Sequence, residues 1–328
     1  MELITRIDLP APPFTLAYSD RLLLLGSCFA ENIGLKLHRY KFRSDTNPFG
    51  TLYNPCSIAS AVRILKSDKL YTPADLFCHN GQFHSFDYHS RFSSVSEQTC
   101  LDAINRRLAE SRANLPATRV TIITLGTAFV YRLKESGRIV ANCHKLPERQ
   151  FDRYRLETAG IAEALRTVCR ELWEIQPGMR FIFTVSPIRH WRDGAHENQL
   201  NKAALLLAVD ALVKEYPDSV AYFPAYELMM DELRDYRFYA DDMVHPSALA
   251  IAYIWERFVS GYVSPSSQEA MKEWDKIARA LEHRPFDEHS EAYRKFIVQT
   301  LLKMERITQK FPSFDIRNEI DMLKSKLN

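Results

Sequence analysis

The amino-acid sequence predicts an α/β layer fold built on a mostly parallel sheet. Two observations carry that expectation. Four short apolar runs, 22–25, 120–125, 181–185 and 220–223, do not alternate with polar residues, as is typical of strands covered on both faces. Helical periodicities lie between them, and strands alternating with helices give a parallel sheet. Ligand sites in such sheets lie beyond the carboxyl ends of the strands, and the unusual residues of this chain fall there.

The first run, four leucines, breaks into Gly26-Ser27-Cys28-Phe29-Ala30. A strand-to-helix turn of this kind lifts a small nucleophile out of the sheet edge and aims backbone N–H groups at whatever it attacks. The alternative is a serine that only caps the helix. Cys28 is a rival nucleophile, since a thiol at a helix N-terminus has a lowered pKa. Adjacent side chains in a turn point different ways, so one of the two faces a site, and Ser27 is preferred. Next comes Asn47-Pro48-Phe49-Gly50-Thr51, a turn-rich segment where Gly50 lets backbone approach a ligand closely.

The stretch 66–96 is an aromatic, histidine-rich excursion from the sheet, read as a β-hairpin or a lid. Its His79, His84 and His89 recur at five-residue intervals, which neither helix nor strand puts on one clean face; they read as packed or surface histidines. The second run ends at Gly126-Thr127, a further place for close backbone approach or simply a tight turn. Asn142-Cys143-His144-Lys145 is no metal site, because adjacent residues rarely ligate one ion, but it is a candidate substrate contact. Ile161, Leu165, Val168, Cys169 and Leu172 share one helix face, and another helix covers 197–213.

The third run ends at Ser186-Pro187 and leads to Arg189, able to hold a carboxylate or phosphate or to sit in a surface loop. Beyond the fourth run lies Asp242-Met243-Val244-His245-Pro246. One turn of chain puts the Asp242 carboxylate on the His245 Nδ1–H and leaves Nε2 for a serine hydroxyl. Pro246 suits the first turn of a helix running to about Phe258. From Ser264 onward the pattern is helical to the end, with stripes at Trp274, Ile277, Ala278 and Leu281 and at Tyr293, Ile297, Leu301 and Met304. The division expected is a catalytic domain over 1–262 and a helical extension over 263–328.

Composition sets outer bounds. The 328 residues are 46% apolar and 26% charged, with a net charge of +2, ordinary for a soluble globular protein and no footprint for nucleic acid. No signal-like run or membrane span is apparent. Six scattered cysteines without a C-x-x-C pair read as reduced thiols, and the expected compartment is the cytoplasm. No cofactor is expected.

The run Gly26-Ser27-Cys28-Phe29-Ala30 spells the signature of the bacterial GSCFA-domain proteins. The segments Asn47 to Pro55, Thr124 to Ala128, Asn142 to Lys145, Ser186 to His190 and Asp242 to Pro246 also resemble that family's blocks, in order, over about 22–258. The family is similar in outline to the SGNH (GDSL-like) hydrolases. That likeness implies a flavodoxin-like three-layer α/β/α fold, with Ser27 as nucleophile, Asp242 as orienting acid, His245 as base and Gly50 as a backbone donor. Two departures stand out. The first block lacks the usual Asp before its serine. Where the third block usually has an Asn, two residues after its glycine, this chain has Ala128, so that either Thr127, Asn142 or His144 replaces that donor or the anion hole is weaker.

The expected function is serine-dependent acyl-ester hydrolysis or O-acyl transfer, on a small molecule or an acylated carbohydrate or cell-envelope glycan. Two rivals are a non-catalytic binding module on the same fold and thiol chemistry through Cys28 or Cys143.

Overall fold

Leu22 and Leu24 face one hydrophobic cluster and Leu23 and Leu25 another, so the first strand is buried on both sides. Such a strand must lie inside a sheet between two helical layers. The computed structural model describes residues 5–282, 286–287 and 290–327. Its order begins β1 (Arg21–Gly26), α1 (Cys28–Arg39), β2 (Arg43–Thr46), α2 (Pro55–Lys66), the hairpin β3 (Phe77–His79) and β4 (Gln82–His84), and α3 (Glu97–Asn114). It continues with β5 (Thr118–Leu125), β6 (Phe129–Leu133), β7 (Ile139–Val140), β8 (Phe151–Arg155), α4 (Thr158–Ile175), β9 (Arg180–Val185), α5 (Gly194–Glu215), β10 (Val220–Tyr222) and the single turn α6 (Ala225–Glu227). It closes with α7 (Ala248–Tyr262), α8 (Pro265–Leu281), α9 (Glu291–Lys310) and α10 (Arg317–Ser325).

The main sheet has five strands in the order β10-β9-β5-β1-β2, all parallel. Numbered along the chain this is 2-1-3-4-5, the flavodoxin-like order, whose connection reverses between β1 and β5. Gly26 pairs with Thr124 across that reversal. The crevice of the switch point therefore opens beside Ser27 and Gly126.

All four apolar runs are strands of this sheet. The fifth, β2, has no apolar run. It is the edge strand Arg-Ser-Asp-Thr, with only Asp45 buried. The excursion contains the expected antiparallel hairpin, β3–β4. A second small antiparallel sheet, β7-β6-β8, follows β5.

Residues of α1, α7 and the C-terminal helices join Leu22, Leu24, Val120 and Ile122 in one cluster. Residues of α2, α3, α4 and α5 join Leu23, Leu25, Ile123 and Phe183 in the other. The stripes at Trp274 and Tyr293 pack into the first cluster, and Trp274 Nε1 donates to Arg39 O at 2.8 Å, at the C-terminus of α1. Residues 283–285 and 288–289 of the expected continuous helical run lie outside the described residues. Among the described residues no helix is long and apolar enough to cross a membrane.

Candidate active site

Ser27 leaves β1 and caps α1. Its backbone is extended, φ −70° and ψ 178°, and its Oγ accepts from Phe29 N at 3.3 Å. Its own N–H donates to Thr124 O at 3.2 Å, which ties the turn to β5. The cap uses an Oγ lone pair. Among the described residues no acceptor takes the hydroxyl proton. The turn depends on Gly26, at φ +138°, whose backbone lies against Thr124.

Asn47 holds the other side. Its Oδ1 accepts the Gly26 N–H at 2.9 Å, which fixes the amide so that Nδ2 is a donor, buried and without a partner among the described residues. The residue adopts φ +46°, a conformation Asn tolerates better than most side chains. The hairpin region closes over this turn: His89 N donates to Phe49 O at 2.8 Å, and Arg91 pairs with Glu31 of α1 at 2.7 Å.

The Asp242–His245 pair forms as the spacing predicts. Asp242 Oδ1 accepts the N–H groups of Val244 and His245, each at 2.9 Å, while Oδ2 meets His245 Nδ1 at 2.5 Å. Those two N–H groups, then the imidazole, push the Asp242 carboxyl down to about 2. With Nδ1 committed, the Nε2 lone pair is the free basic atom. The helix start differs from the expectation. Ser247 is the cap and α7 begins at Ala248, because Pro246 instead pairs with Tyr239 as an isolated bridge. α1 and α7 lie in the same layer. Both begin at the carboxyl end of the sheet, α7 running back so that Tyr262 reaches Leu16, ahead of β1. Ser27 is buried and the Asp–His pair is half-exposed, and no hydrogen bond joins His245 to Ser27 among the described residues.

Several expected donors are already occupied. Gly50 N–H donates to Asn47 O at 2.8 Å within a tight turn at φ +78°. The N–H groups of Gly126 and Thr127 both donate to Tyr53 O, at 2.8 and 2.9 Å. Thr127 Oγ1 is held between Asn201 Oδ1 and Phe129 N. Tight local pairing leaves these three peptide N–H groups no free direction toward an oxyanion, while Thr127 still lines the cavity beside the strand ends. His144 is not at the turn either. Its ring is buried beneath the hairpin, with Nε2 on Ser85 O at 2.8 Å and its face toward His84. Asn142 accepts His144 N and lines a cavity of about 500 Å³ beside the strand ends. Arg189 turns away from that cavity, its Nε on Met230 Sδ at 3.1 Å and its guanidinium over Trp191.

Cys28 also departs from expectation. Burial raises its thiol and outweighs the lowering by the Cys28 and Phe29 N–H groups and Lys202. Burial likewise pushes Cys143 up to about 11. Both thiols stay protonated near neutrality, which disfavours them as nucleophiles.

Lys202 is the residue that sequence reasoning passed over. It is wholly buried, its Nζ donating to Gly126 O and to Ser186 O, each at 2.9 Å, so it bridges the ends of β5 and β9. Burial pushes its ammonium down to about 7. The neutral amine still has two N–H bonds for the two carbonyls. The signal lay in α5, where Asn198, Asn201 and Lys202 occupy the same buried face as Leu205, Val209 and Leu212. Burial, then the nearby Lys202, lowers the His190 imidazole to about 4.

His144 makes a pH prediction. Burial, then the neighbouring His84, lowers its ring to about 4 in the folded protein, against about 6.5 in an unfolded chain. Between those values only the unfolded chain takes up the proton. Stability from this group is thus complete above about pH 6.5 and falls as pH drops toward 4, by on the order of 3 kcal/mol. His144→Gln, which keeps a donor for Ser85 O, is expected to reduce the fall in Tm between pH 7 and 4.5. An unchanged slope in thermal melts would show that the buried ring is already charged in the native state.

Comparison with known proteins bears on this geometry. The family model described as the GSCFA family matches residues 21–258, and that of the GSCFA domain protein C-terminal domain matches 274–328. The chain belongs to the GSCFA family. The first match runs from the start of β1 through most of α7 and so contains both Ser27 and the Asp242–His245 pair of this GSCFA protein. No curated protein matches the chain. Among solved structures, it is similar to a Clostridium thermocellum family 3 carbohydrate esterase at 11% identity and TM-score 0.34, covering 80% of this chain and 99% of that one. It is also similar to the acetyl xylan esterase Est2A from the rumen bacterium Butyrivibrio proteoclasticus at 12% identity and TM-score 0.34, covering 75% of this chain and 64% of that one.

Proposed function

We propose that this GSCFA protein is a serine acyl-ester hydrolase or O-acyltransferase, with Ser27 as nucleophile, His245 as base and Asp242 as its orienting acid. The observation that carries the reading is the Asp242–His245 pair, joined at 2.5 Å and carried at the entry to α7, at the same end and in the same layer as the serine-capped α1. Ser27 Oγ attacks the acyl carbonyl as His245 Nε2 takes its proton, and the C–O π electrons move to oxygen. The intermediate collapses as the leaving alcohol takes that proton back. Water or an acceptor hydroxyl, deprotonated in turn by His245, then attacks the acyl group, and the departing Ser27 Oγ takes that proton from His245 Nε2. Nε2 must move into reach of Oγ for this, and catalytic hydrogen bonds are often long before substrate binds.

The carbonyl oxygen needs donors where its charge develops. With Gly50, Gly126 and Thr127 occupied, and with the Phe29 and Ala30 N–H groups turned back on Ser27, the buried, unpartnered Nδ2 of Asn47 beside Gly26 is the donor proposed, together with the Cys28 N–H at the start of α1. The substrate class is an acyl ester of a small molecule or glycan, and the compartment proposed is the cytoplasm. The unit proposed for this chemistry is 1–262, with 263–328 as its helical extension.

A non-catalytic binding module is the second reading, favoured by the absence of a Ser27–His245 bond and by the occupied donors. A fluorophosphonate probe separates the two. The enzyme reading expects a phosphonyl adduct on the peptide containing Ser27, formed at least 10²-fold more slowly in His245→Ala. A folded wild-type protein that takes no adduct supports the binding module.

A further inference from the structure

The loop Asn142-Cys143-His144-Lys145 is left unexplained by the serine chemistry, and its backbone is strained. His144 and Lys145 are consecutive non-glycine residues at φ +47° and +59°. Such conformations cost about 1–3 kcal/mol each and persist only where the surroundings impose them. Here the buried His144 imposes them, its ring fixed to Ser85 O and packed against His84 and Phe77. Asn142 Oδ1 takes the His144 N–H at 2.8 Å, and Leu146 N–H donates to Cys143 O at 2.9 Å. With His144 plugged inward, its neighbours Cys143 and Lys145 line the cavity of about 500 Å³.

That cavity has aromatic walls, from Tyr53, Phe129, Tyr131, Phe151 and the His190 ring. Its volume suits one ring-bearing small molecule, and flat aromatic faces suit a sugar or arene ring. Its charges are nearly all matched. Arg153 binds Asp193 through two bonds of 2.6 Å, and Arg192 pairs with Glu148 at 2.5 Å. Lys145 is the exception, exposed at the rim with no ion pair among the described residues. The cavity thus presents one uncompensated positive charge above an apolar slot. It adjoins the strand ends through Thr127 and His190, and through Tyr53, whose carbonyl accepts the Gly126 and Thr127 N–H groups and whose neighbour Leu52 donates its N–H to Gly26 O, beside Ser27.

We infer that this cavity seats the alcohol portion of the ester, a ring carrying a carboxylate or phosphate, and that Lys145 selects it by that negative charge. The inference rests on the serine reading for the reacting bond, while recognition of the anionic ring stands apart from it.

The probes are two aryl esters differing by one carboxylate, 4-acetoxybenzoate and phenyl acetate. The wild type is expected to prefer the anionic ester, with the preference residing in KM. Lys145→Ala should lower the ratio of the two kcat/KM values about tenfold, Lys145→Glu should lower it further, and Lys145→Arg should restore it. Equal treatment of the two esters by wild type, or a ratio that Lys145→Glu leaves intact, would overturn the inference while leaving Ser27 chemistry standing. A second arm needs no turnover: calorimetry of Ser27→Ala with 4-hydroxybenzoate, phenyl phosphate and phenol. Binding of either anion but not phenol, lost on adding Lys145→Glu, supports the cavity even if neither ester is cleaved, and the stronger anion distinguishes carboxylate from phosphate. If no ester is cleaved and neither anion binds better than phenol, the inference fails.

Discussion

Ser27→Ala is expected to lower kcat/KM for a short-chain nitrophenyl ester by about 10³-fold or more. The substitution removes the attacking oxygen and little else, since the site is buried and alanine fits the space of serine. It also removes the cap that accepts Phe29 N–H, a loss of about 1 kcal/mol. The variant should therefore melt only a few degrees below wild type, which separates lost chemistry from lost fold. Because nucleophile and base act as one unit, Ser27→Ala with His245→Ala should be scarcely worse than either alone. Activity that survives Ser27→Ala undiminished would remove Ser27 from the mechanism, and multiplicative losses in the double variant would separate His245 from it.

Gly26→Ala should be the most damaging substitution for the fold. A Cβ there would lie 2.2 Å from Thr124 O and 2.9 Å from both Thr124 C and Thr124 N, all backbone atoms of the adjacent strand. No flexible side chain is available to give way, and φ +138° is itself strained for an L-residue. Overpacking and backbone strain together amount to about 3–5 kcal/mol, a large share of a typical domain's stability. The denaturant midpoint should fall sharply, and soluble yield with it. Gly81→Ala is the matched comparison: φ is +72° but nothing lies within 4 Å, so only the backbone cost remains. Equal midpoints for the two variants would mean that β1 and β5 do not approach as closely as the Gly26–Thr124 pairing requires.

The central strands are legible in the sequence because burial on both faces writes itself as unbroken apolar runs. The edge strand β2 is not, since Arg43 and Ser44 meet solvent and Asp45 is buried against Arg107. Patterning responds to the hydrophobic environment, and an edge supplies half of one. The same limit applies at the site. Ser27, Asp242 and His245 attract attention by their chemistry and spacing, and the structure puts their helices at one end of the sheet. The state of a peptide N–H is not written in side chains, so Gly50 and Gly126 read as open donors until their carbonyl partners, Asn47 and Tyr53, are located. Lys202 reads as a surface lysine unless its helical face is traced through Asn198 and Leu205.

The C-terminal helices have a mechanical consequence for the serine. α1 carries Ser27 at one end, and at the other its last residue, Arg39, accepts Trp274 Nε1–H while the adjacent Tyr40 donates to Asp275. Its 12 residues make a rigid rod of about 18 Å. A tilt of about 3° imposed at Arg39 would swing the far end by about 1 Å, a displacement that can cost an active site about 10² in rate. The tail thus holds the far end of this rod, and a change in the packing of α8 against Arg39 and Tyr40 would reach the hydroxyl through α1.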